Sequence, residues 1–132
     1  MNRFERTRQD HSVEIAEDYV ELIDKLIQEK GEARAVDLAT RLGVSPVTVG
    51  KTVKRLLREG LVKSEPYRSI HLTDKGRKLA KESERRHNTV LEFLVAIGVP
   101  HSTAEIDAEG IEHHVSKGTL EAMRRFLAGH TI

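Results

Sequence analysis

Gly43-Val44-Ser45-Pro46 is the stretch that decides the fold, because it joins two segments with helical spacing. The segment Ala35–Leu42 before it has the apolar pattern of a short helix, and Pro46–Glu59 after it has that of a longer one. Gly43 permits a tight turn, the Ser45 hydroxyl can cap the second helix, and Pro46 suits a first helical position. This order is typical of a helix-turn-helix.

The chain before this motif divides into an arm and a helix. Residues 1–12 are polar and show no apolar periodicity, which predicts a flexible N-terminal arm. From Val13 to Lys30 the apolar residues recur at intervals of three and four, which predicts a first helix that Gly31 ends.

The chain after the motif predicts a hairpin and a long helix. Leu61–Glu65 and Ser69–Leu72 read as short strands on either side of Pro66-Tyr67-Arg68, and such a hairpin would form the wing of a winged helix. Thr73 and Asp74 can cap a helix that reaches about Ala96.

The remainder predicts further helices. One should end at about His114, and Ser116 should cap another. We therefore expect a mainly α fold. A winged helix-turn-helix DNA-binding domain would occupy 13–80, including the start of the linking helix, and an all-helical domain would occupy 81–132.

The composition excludes several classes of protein. The chain has 132 residues, of which 33% are charged and 38% apolar, so it should form one domain or two small ones. It has no cysteine, which excludes disulfides, cysteine-based zinc sites and thiol chemistry. No segment has the apolar length of a membrane span or the pattern of a signal peptide, and we expect a cytoplasmic protein.

The net charge of +1 conceals a strong asymmetry along the chain. Gln9–Thr40 carries nine acidic and three basic residues, whereas Arg41–Ala80 carries ten basic and three acidic ones. An acidic block beside a basic block predicts one surface that binds cations and one that binds anions.

The basic block coincides with the helix-turn-helix, which predicts binding to double-stranded DNA. The second helix of the motif should lie in the major groove, with its first residues near base edges and its later basic residues on phosphates. The predicted DNA contacts are Ser45, Pro46, Val47, Thr48, Lys51, Lys54, Arg55, Arg58 and, on the wing, Arg68. For any one basic residue, the alternative is a solvated charge on a helix surface.

The stretch Glu109-Gly110-Ile111-Glu112-His113-His114 predicts half of a metal site. At helical spacing Glu109, Glu112 and His113 share a face, and oxygen and imidazole ligands without sulfur suit manganese or ferrous iron. Asp18 and Glu21 are three residues apart on the acidic first helix and would repel each other without a cation between them. The alternative is that these are solvated side chains.

Five segments of the chain together resemble a known family. They are Asp18-Tyr19-Val20-Glu21, the helix-turn-helix, Leu72-Thr73-Asp74-Lys75-Gly76, Arg86-His87 and Asp107-Ala108-Glu109-Gly110-Ile111-Glu112-His113-His114. In this order and spacing, the chain closely resembles the manganese transport regulators of the diphtheria-toxin-repressor family. The resemblance implies a homodimer of winged helices joined to a helical metal-binding and dimerisation domain.

The resemblance also implies the metal ligands, which fall on Asp18, Glu21, His87, Glu109, Glu112 and His113. In iron-responsive relatives, sulfur-containing side chains occupy the positions of Asp18 and Glu109, and the two carboxylates here resemble the manganese branch. Four carboxylates and two imidazoles would suit two Mn²⁺ ions per subunit.

The function that the resemblance implies is repression of manganese-uptake genes when Mn²⁺ joins the two domains of a dimer on a palindromic operator. A repressor of the same fold that responds to Fe²⁺ and a metal-independent winged-helix regulator are the alternatives. A metallohydrolase is a further alternative, but no other motif offers a base or nucleophile, and we expect no enzyme.

Overall fold

The computed structural model describes residues 2–64 and 68–129, which form helices and one short hairpin. The elements are α1 (Arg3–Lys30), α2 (Ala35–Leu42), α3 (Pro46–Arg58), β1 (Val62–Lys63), β2 (His71–Leu72), α4 (Asp74–Ala96), α5 (His101–Ile111) and α6 (Lys117–Gly129). The predicted mainly α architecture is confirmed. No helix in the described ranges is long and apolar enough to cross a membrane.

The chain divides into two compact units. The first is Glu14–Lys81, which we call the hairpin unit because it contains both strands. The second combines Met1–Val13 with Glu82–Ile132, and we call it the helical unit.

The helix-turn-helix of the hairpin unit forms as its turn residues predict. Gly43 has a φ of 68°, a left-handed conformation that glycine adopts without a steric penalty. The Ser45 hydroxyl accepts a hydrogen bond from the backbone N–H of Thr48 at 3.1 Å, and Pro46 is the first residue of α3. This serine cap satisfies one of the backbone donors that every helix start leaves without an intrahelical partner.

A large apolar core holds the hairpin unit together. α1, α2, α3 and the hairpin all contribute side chains to it, and full burial of one such side chain contributes roughly 1.5–3 kcal/mol. The buried members are Ala16, Tyr19, Val20, Ile23, Leu26, Ala33, Leu38, Ala39, Val49, Val53, Leu56, Leu61, Val62, Ile70, Leu72 and Ala80.

The hairpin is antiparallel, and Val62 pairs with Leu72 while Lys63 pairs with His71. The first pair is buried and the second is exposed, as the alternation of side chains along a strand requires. Each strand has two residues, so both predicted strands were too long. Of the predicted turn, Pro66 and Tyr67 lie outside the described residues.

Two hydrogen bonds hold the base of the hairpin against the loop between α1 and α2, one between backbone groups and one to a serine hydroxyl. The Ile70 N–H donates to the Ala33 carbonyl at 2.7 Å, and the Ala33 N–H donates to the Ser69 hydroxyl at 2.9 Å. The main chain and the partly buried Ser69 hydroxyl therefore place the base of the wing.

The start of α4 packs closely against the end of α3. The Thr73 hydroxyl donates to the Gly60 carbonyl at 2.6 Å and accepts from the Gly76 N–H at 3.0 Å, which confirms the predicted cap. Gly76 is buried, and a Cβ atom added to it would lie 2.1 Å from the Leu61 carbonyl oxygen. Only glycine permits this approach of two backbone segments.

The helical unit has a smaller core. Its buried apolar cluster consists of Val90, Ala108 and Leu120, surrounded by partly buried side chains. The rings of Phe93 and Phe126 meet edge to face, with centroids 5.3 Å apart.

The prediction of an arm over residues 1–12 was wrong in secondary structure, because α1 already begins at Arg3. The Asn2 side-chain oxygen accepts hydrogen bonds from the N–H groups of Phe4 and Glu5, at 3.0 and 2.9 Å. The Glu5 carboxylate in turn accepts from the Asn2 N–H at 3.3 Å. This reciprocal capping box starts the helix although the segment has no apolar stripe.

The prediction that a helix runs to about His114 was also wrong, because α5 ends at Ile111. Glu112 is the C-cap residue, and the His114 N–H donates to the Ile111 carbonyl at 3.0 Å in the turn that follows. His113 therefore does not share a helix face with Glu109. The Ser116 hydroxyl accepts from the Thr119 N–H at 3.2 Å, which confirms the predicted cap of α6.

Candidate DNA-binding surface and metal cluster

α3 presents a buried face and an exposed basic face. Val49, Val53 and Leu56 point into the core of the hairpin unit. Positions on the opposite side of a helix follow from its 3.6-residue period, and they include the exposed cations Lys51, Lys54 and Arg58. Core packing thus fixes which side of α3 faces outward.

The first turn of α3 offers short side chains at an exposed helix start. Pro46, Val47 and Thr48 are all exposed, and Val47 is 68% accessible despite being apolar. An exposed branched aliphatic side chain at this position could contact a thymine methyl group. The Ser45 and Thr48 hydroxyls lie 3.0 Å apart, so the capping serine also orients the threonine.

Arg55 lies at the edge of this basic face and is half-buried. Its Nε atom donates to the Glu59 carboxylate at 3.1 Å, one helical turn away. This ion pair lowers the positive charge that Arg55 offers to a phosphate. Its predicted role as a phosphate contact stays a prediction.

A hollow of about 520 Å³ connects α3 with the wing. Lys54 lines it from α3, Arg68 from the hairpin side, and Val36 from the first turn of α2. Two of the predicted DNA contacts, Lys54 and Arg68, therefore lie on one continuous surface of the hairpin unit.

Glu112 is the centre of a cluster in the helical unit. It is 1% exposed, and its Oε2 atom lies 2.5 Å from Nδ1 of His87, which α4 supplies. Its Oε1 atom lies 3.3 Å from Nε2 of His113, which is also buried. A buried carboxylate requires positive charge or donors close by, and here each oxygen faces an imidazole.

Glu109 completes this cluster from the last turn of α5. Its Oε1 atom lies 3.7 Å from Nδ1 of His87, and ligand atoms of His87, Glu109 and Glu112 all lie within 4.8 Å of one another. Ligands on opposite sides of one cation are separated by about twice the metal–ligand distance, roughly 4–5 Å. The cluster has the donor types that a divalent cation takes, while Nδ1 of His87 and Oε2 of Glu112 lie at hydrogen-bonding distance and would have to separate slightly to bind one ion together.

Asp18 and Glu21 are half-buried on α1 and belong to the hairpin unit. Their assignment as metal ligands stays a prediction. The sequence analysis did not identify Glu14 as a candidate ligand. It lies one helical turn before Asp18, and the two carboxylates have oxygens within 4.8 Å of each other. The spacing of four residues on one helix was the signal that could have found it.

The first residues of α1 contact the turn after α5 within the helical unit. A carboxylate oxygen of Asp10 lies 3.6 Å from Nδ1 of His114, the residue that follows His113. The same carboxylate lies 3.7 Å from Nε of Arg6. The segment predicted as an arm therefore reaches the neighbourhood of the metal cluster.

Two family models match consecutive parts of the chain. Residues 11–70 match the N-terminal DNA-binding domain of the iron-dependent repressors. Residues 73–131 match the metal-binding and dimerisation domain of the same proteins. The exposed basic face of α3 thus lies in the part that matches the DNA-binding domain. The cluster of His87, Glu109, Glu112 and His113 lies in the part that matches the metal-binding and dimerisation domain.

Curated relatives match over most of their length. The chain is 52% identical over 127 residues to the transcriptional regulator MntR of Escherichia coli O6:H1 (strain CFT073), covering 96% of this chain and 82% of the relative. It is 43% identical over 105 residues to the HTH-type transcriptional regulator MntR of Bacillus subtilis (strain 168), covering 80% and 74%. Both relatives are transcriptional regulators, and neither supports the metallohydrolase alternative.

Solved structures share the fold. A manganese-dependent transcriptional repressor in complex with manganese is 32% identical with a TM-score of 0.75, and the manganese regulator SloR is 31% identical with a TM-score of 0.73. Each match covers 86% of this chain, which spans about half of the matched chains, 52% and 53%. The chain therefore belongs to the iron-dependent repressor family and groups within it with the MntR transcriptional regulators.

Proposed function

We propose that this protein is a cytoplasmic, manganese-responsive transcriptional repressor that switches off manganese-uptake genes. The observation that carries the proposal is Glu112, a buried carboxylate whose two oxygens face two different imidazoles. These carboxylate and imidazole groups are side chains that bind divalent cations, and they do not contribute to an apolar core. The family supplies the second support, because relatives at 52% identity are transcriptional regulators.

The proposed ligand set comprises Asp18, Glu21, His87, Glu109, Glu112 and His113, and it would hold two Mn²⁺ ions per subunit. When bound, Mn²⁺ supplies the positive charge that allows four carboxylates to lie close together. Within this set Glu112 would hold metal beside both His87 and His113, because each of its oxygens faces one of these imidazoles.

Asp18 and Glu21 belong to the hairpin unit, whereas the other four proposed ligands belong to the helical unit. If all six coordinate the same ions, metal binding restricts how the DNA-binding surface is held. Metal would then select the binding-competent population, and by linkage operator DNA would tighten metal binding by the same factor.

We propose that the repressor acts as a homodimer on a palindromic operator. The helical unit exposes large apolar side chains, including Ile97 at 52% and Ile106 at 75% accessibility, which suit an interface between subunits. A two-fold dimer of helix-turn-helix domains reads two half-sites about 34 Å apart.

Fe²⁺ is the alternative effector, and the description of the matching family names iron. The resemblance argues for manganese, because iron-responsive relatives carry sulfur-containing side chains at the positions of Asp18 and Glu109, where this chain has carboxylates. Affinity alone does not decide between these ions, since most sites bind Fe²⁺ more tightly than Mn²⁺. The response of DNA binding to each metal is therefore the decisive measurement.

The test uses a fluorescent palindromic duplex selected from a random library in the presence of MnCl₂. Anisotropy titrations are run with MnCl₂, with FeSO₄ under anaerobic conditions, and with EDTA. We expect binding at least about tenfold tighter with Mn²⁺ than with EDTA, which corresponds to the lower range of allosteric coupling.

Glu112→Gln should remove the response to Mn²⁺, because it replaces the charged carboxylate with a neutral amide of the same shape. The matched control is Glu121→Gln, which neutralises an exposed carboxylate on α6 and should leave the response unchanged. Equal DNA affinity of the unsubstituted protein in MnCl₂ and in EDTA would contradict the proposed switch. A response to Fe²⁺ but not to Mn²⁺ would establish the iron alternative.

A further inference from the structure

The helical unit contains a second polar feature that the proposed function does not use. A cavity of about 370 Å³ lies between α4 and the first turns of α6. Val115 and Leu120 contribute apolar surface to it. The remaining lining residues are charged: Glu82, Arg85, Arg86, Lys117 and Arg124.

Among the residues that the structure describes, four cations and one carboxylate, Glu82, line this cavity. Within residues 2–64 and 68–129, no ion pair joins Arg85, Lys117 or Arg124 to an acidic group. Cations that line one cavity repel one another, and an anion bound between them would offset that repulsion.

The local structure orients one of these cations and places the start of a helix at the cavity. Arg124 donates a hydrogen bond from Nε to the Thr89 hydroxyl at 3.4 Å, which ties α6 to α4. Lys117 is the first residue of the 13-residue α6. The N-terminus of a helix carries partial positive charge, which adds to the field of the side chains.

The cavity is separate from the proposed metal cluster. Arg85 and His87 are two residues apart on α4, and residues at that spacing point to nearly opposite sides of a helix. An anion at Arg85 would therefore not need to be a ligand of the metal.

We propose that this cavity binds a small phosphate-bearing anion. Guanidinium groups match phosphate oxygens with two parallel hydrogen bonds, and a lysine adds a compact charge. The volume exceeds what one phosphate group needs and lies at the lower end of small-molecule sites, so a phosphate ester fits as well as inorganic phosphate.

The test measures anion binding to metal-free protein by isothermal titration calorimetry, in EDTA at pH 8. Sodium phosphate is titrated at constant ionic strength set by NaCl, and adenosine monophosphate is titrated in a second arm. Because neither metal nor DNA is present, the outcome does not depend on the proposed repressor function.

The variant Arg85→Gln/Lys117→Gln removes one cation from each helix that lines the cavity. We expect it to weaken phosphate binding at least about tenfold, the loss that one charge-assisted contact represents. The matched control is Lys81→Gln/Arg125→Gln, which removes the same charge from α4 and α6 at exposed positions outside the cavity. It should bind phosphate as the unsubstituted protein does.

Tighter binding of adenosine monophosphate than of phosphate would identify an ester as the ligand, and equal or weaker binding would identify inorganic phosphate. Two results would overturn the proposal. One is the absence of binding of either anion. The other is an equal loss of phosphate affinity in both double variants, which would show that the anion responds to the overall positive charge and not to this cavity. Circular dichroism confirms that each variant is folded.

Discussion

The hairpin unit and the helical unit differ in what lies at their centres. Sixteen buried apolar residues fill the hairpin unit, from Ala16 to Ala80. The buried apolar cluster of the helical unit has three members, and the polar residues Glu112 and His113 are buried in the same unit. Exposed apolar side chains occur in both units, among them Ile106 in the helical unit and Val36 in the hairpin unit.

This difference separates a unit stabilised by its own packing from one that needs other molecules. A small domain with few buried apolar residues is marginally stable unless a metal, a disulfide or a partner adds to it. The helical unit lies in the part of the chain that matches a metal-binding and dimerisation domain, so a metal and a second subunit are the stabilising groups that can be tested. A unit with so small an apolar core should gain more stability from a bound metal or a second subunit than the hairpin unit does.

Gly76→Ala should have the largest effect on stability, and it tests how tightly the hairpin unit is packed. The added Cβ would lie 2.1 Å from a backbone oxygen, so the start of α4 or the segment at Leu61 must move. We expect the free energy of unfolding to fall by about 3 kcal/mol. Denaturant titration measures it.

Gly50→Ala is the control for that substitution, because Gly50 lies within α3 and a Cβ there meets nothing within 4 Å. Alanine favours helix, and the protein should gain up to about 1 kcal/mol. If both substitutions had the same effect, close packing at Gly76 would not be what stabilises the unit.

The next effect concerns metal and should fall on the helical unit. When the free Mn²⁺ concentration is a hundred times the Kd for Mn²⁺, binding stabilises the folded state against unfolding by about 2.7 kcal/mol. We expect amide hydrogen exchange to slow by up to about a hundredfold in α5 and the turn after it, and far less in α3. Exchange measured by mass spectrometry, with and without MnCl₂, gives the comparison.

Glu112→Gln should abolish the slowing in α5, while Glu121→Gln should retain it. Equal protection of α3 and α5 by Mn²⁺ would show that the two units do not differ in their dependence on metal.

The smallest effect concerns the partner subunit. Ile106→Glu places a charge at a side chain that is 75% exposed, so the isolated subunit should remain folded. If this face lies in the dimer interface, the dimer Kd should rise at least about tenfold. Sedimentation velocity over a range of concentrations measures it.

Val36→Glu is the matched control, since Val36 is 64% exposed but belongs to the hairpin unit. It should leave the dimer Kd unchanged. Weaker dimers in both variants, or in neither, would remove Ile106 from the interface.

Local signals in the sequence predicted much of the fold. The turn at Gly43 and the caps at Ser45, Thr73 and Ser116 form as expected, because a cap depends on residues within one helical turn. The start of α1 was missed because an apolar stripe was sought, whereas the signal was the spacing of Asn2 and Glu5.

The site was less predictable, because it depends on where the chain leaves a helix. The spacing of Glu109, Glu112 and His113 predicts one helix face, yet α5 ends at Ile111 and the turn brings His113 to the other oxygen of Glu112. The pairing of Glu112 with His87 joins residues 25 positions apart, and the spacing of the residues alone does not predict such a contact. The ion pair between Arg55 and Glu59, by contrast, follows a helical spacing that the sequence displays.

The hydrogen bonds at the base of the wing have a consequence for protein engineering. The bond between the Ile70 N–H and the Ala33 carbonyl uses main-chain atoms that nearly every amino acid possesses. Substitutions at the exposed strand positions Lys63 and His71 should therefore leave this bond in place. The wing is a suitable position for a randomised library aimed at new operator sequences, with the rest of the DNA-binding surface left intact.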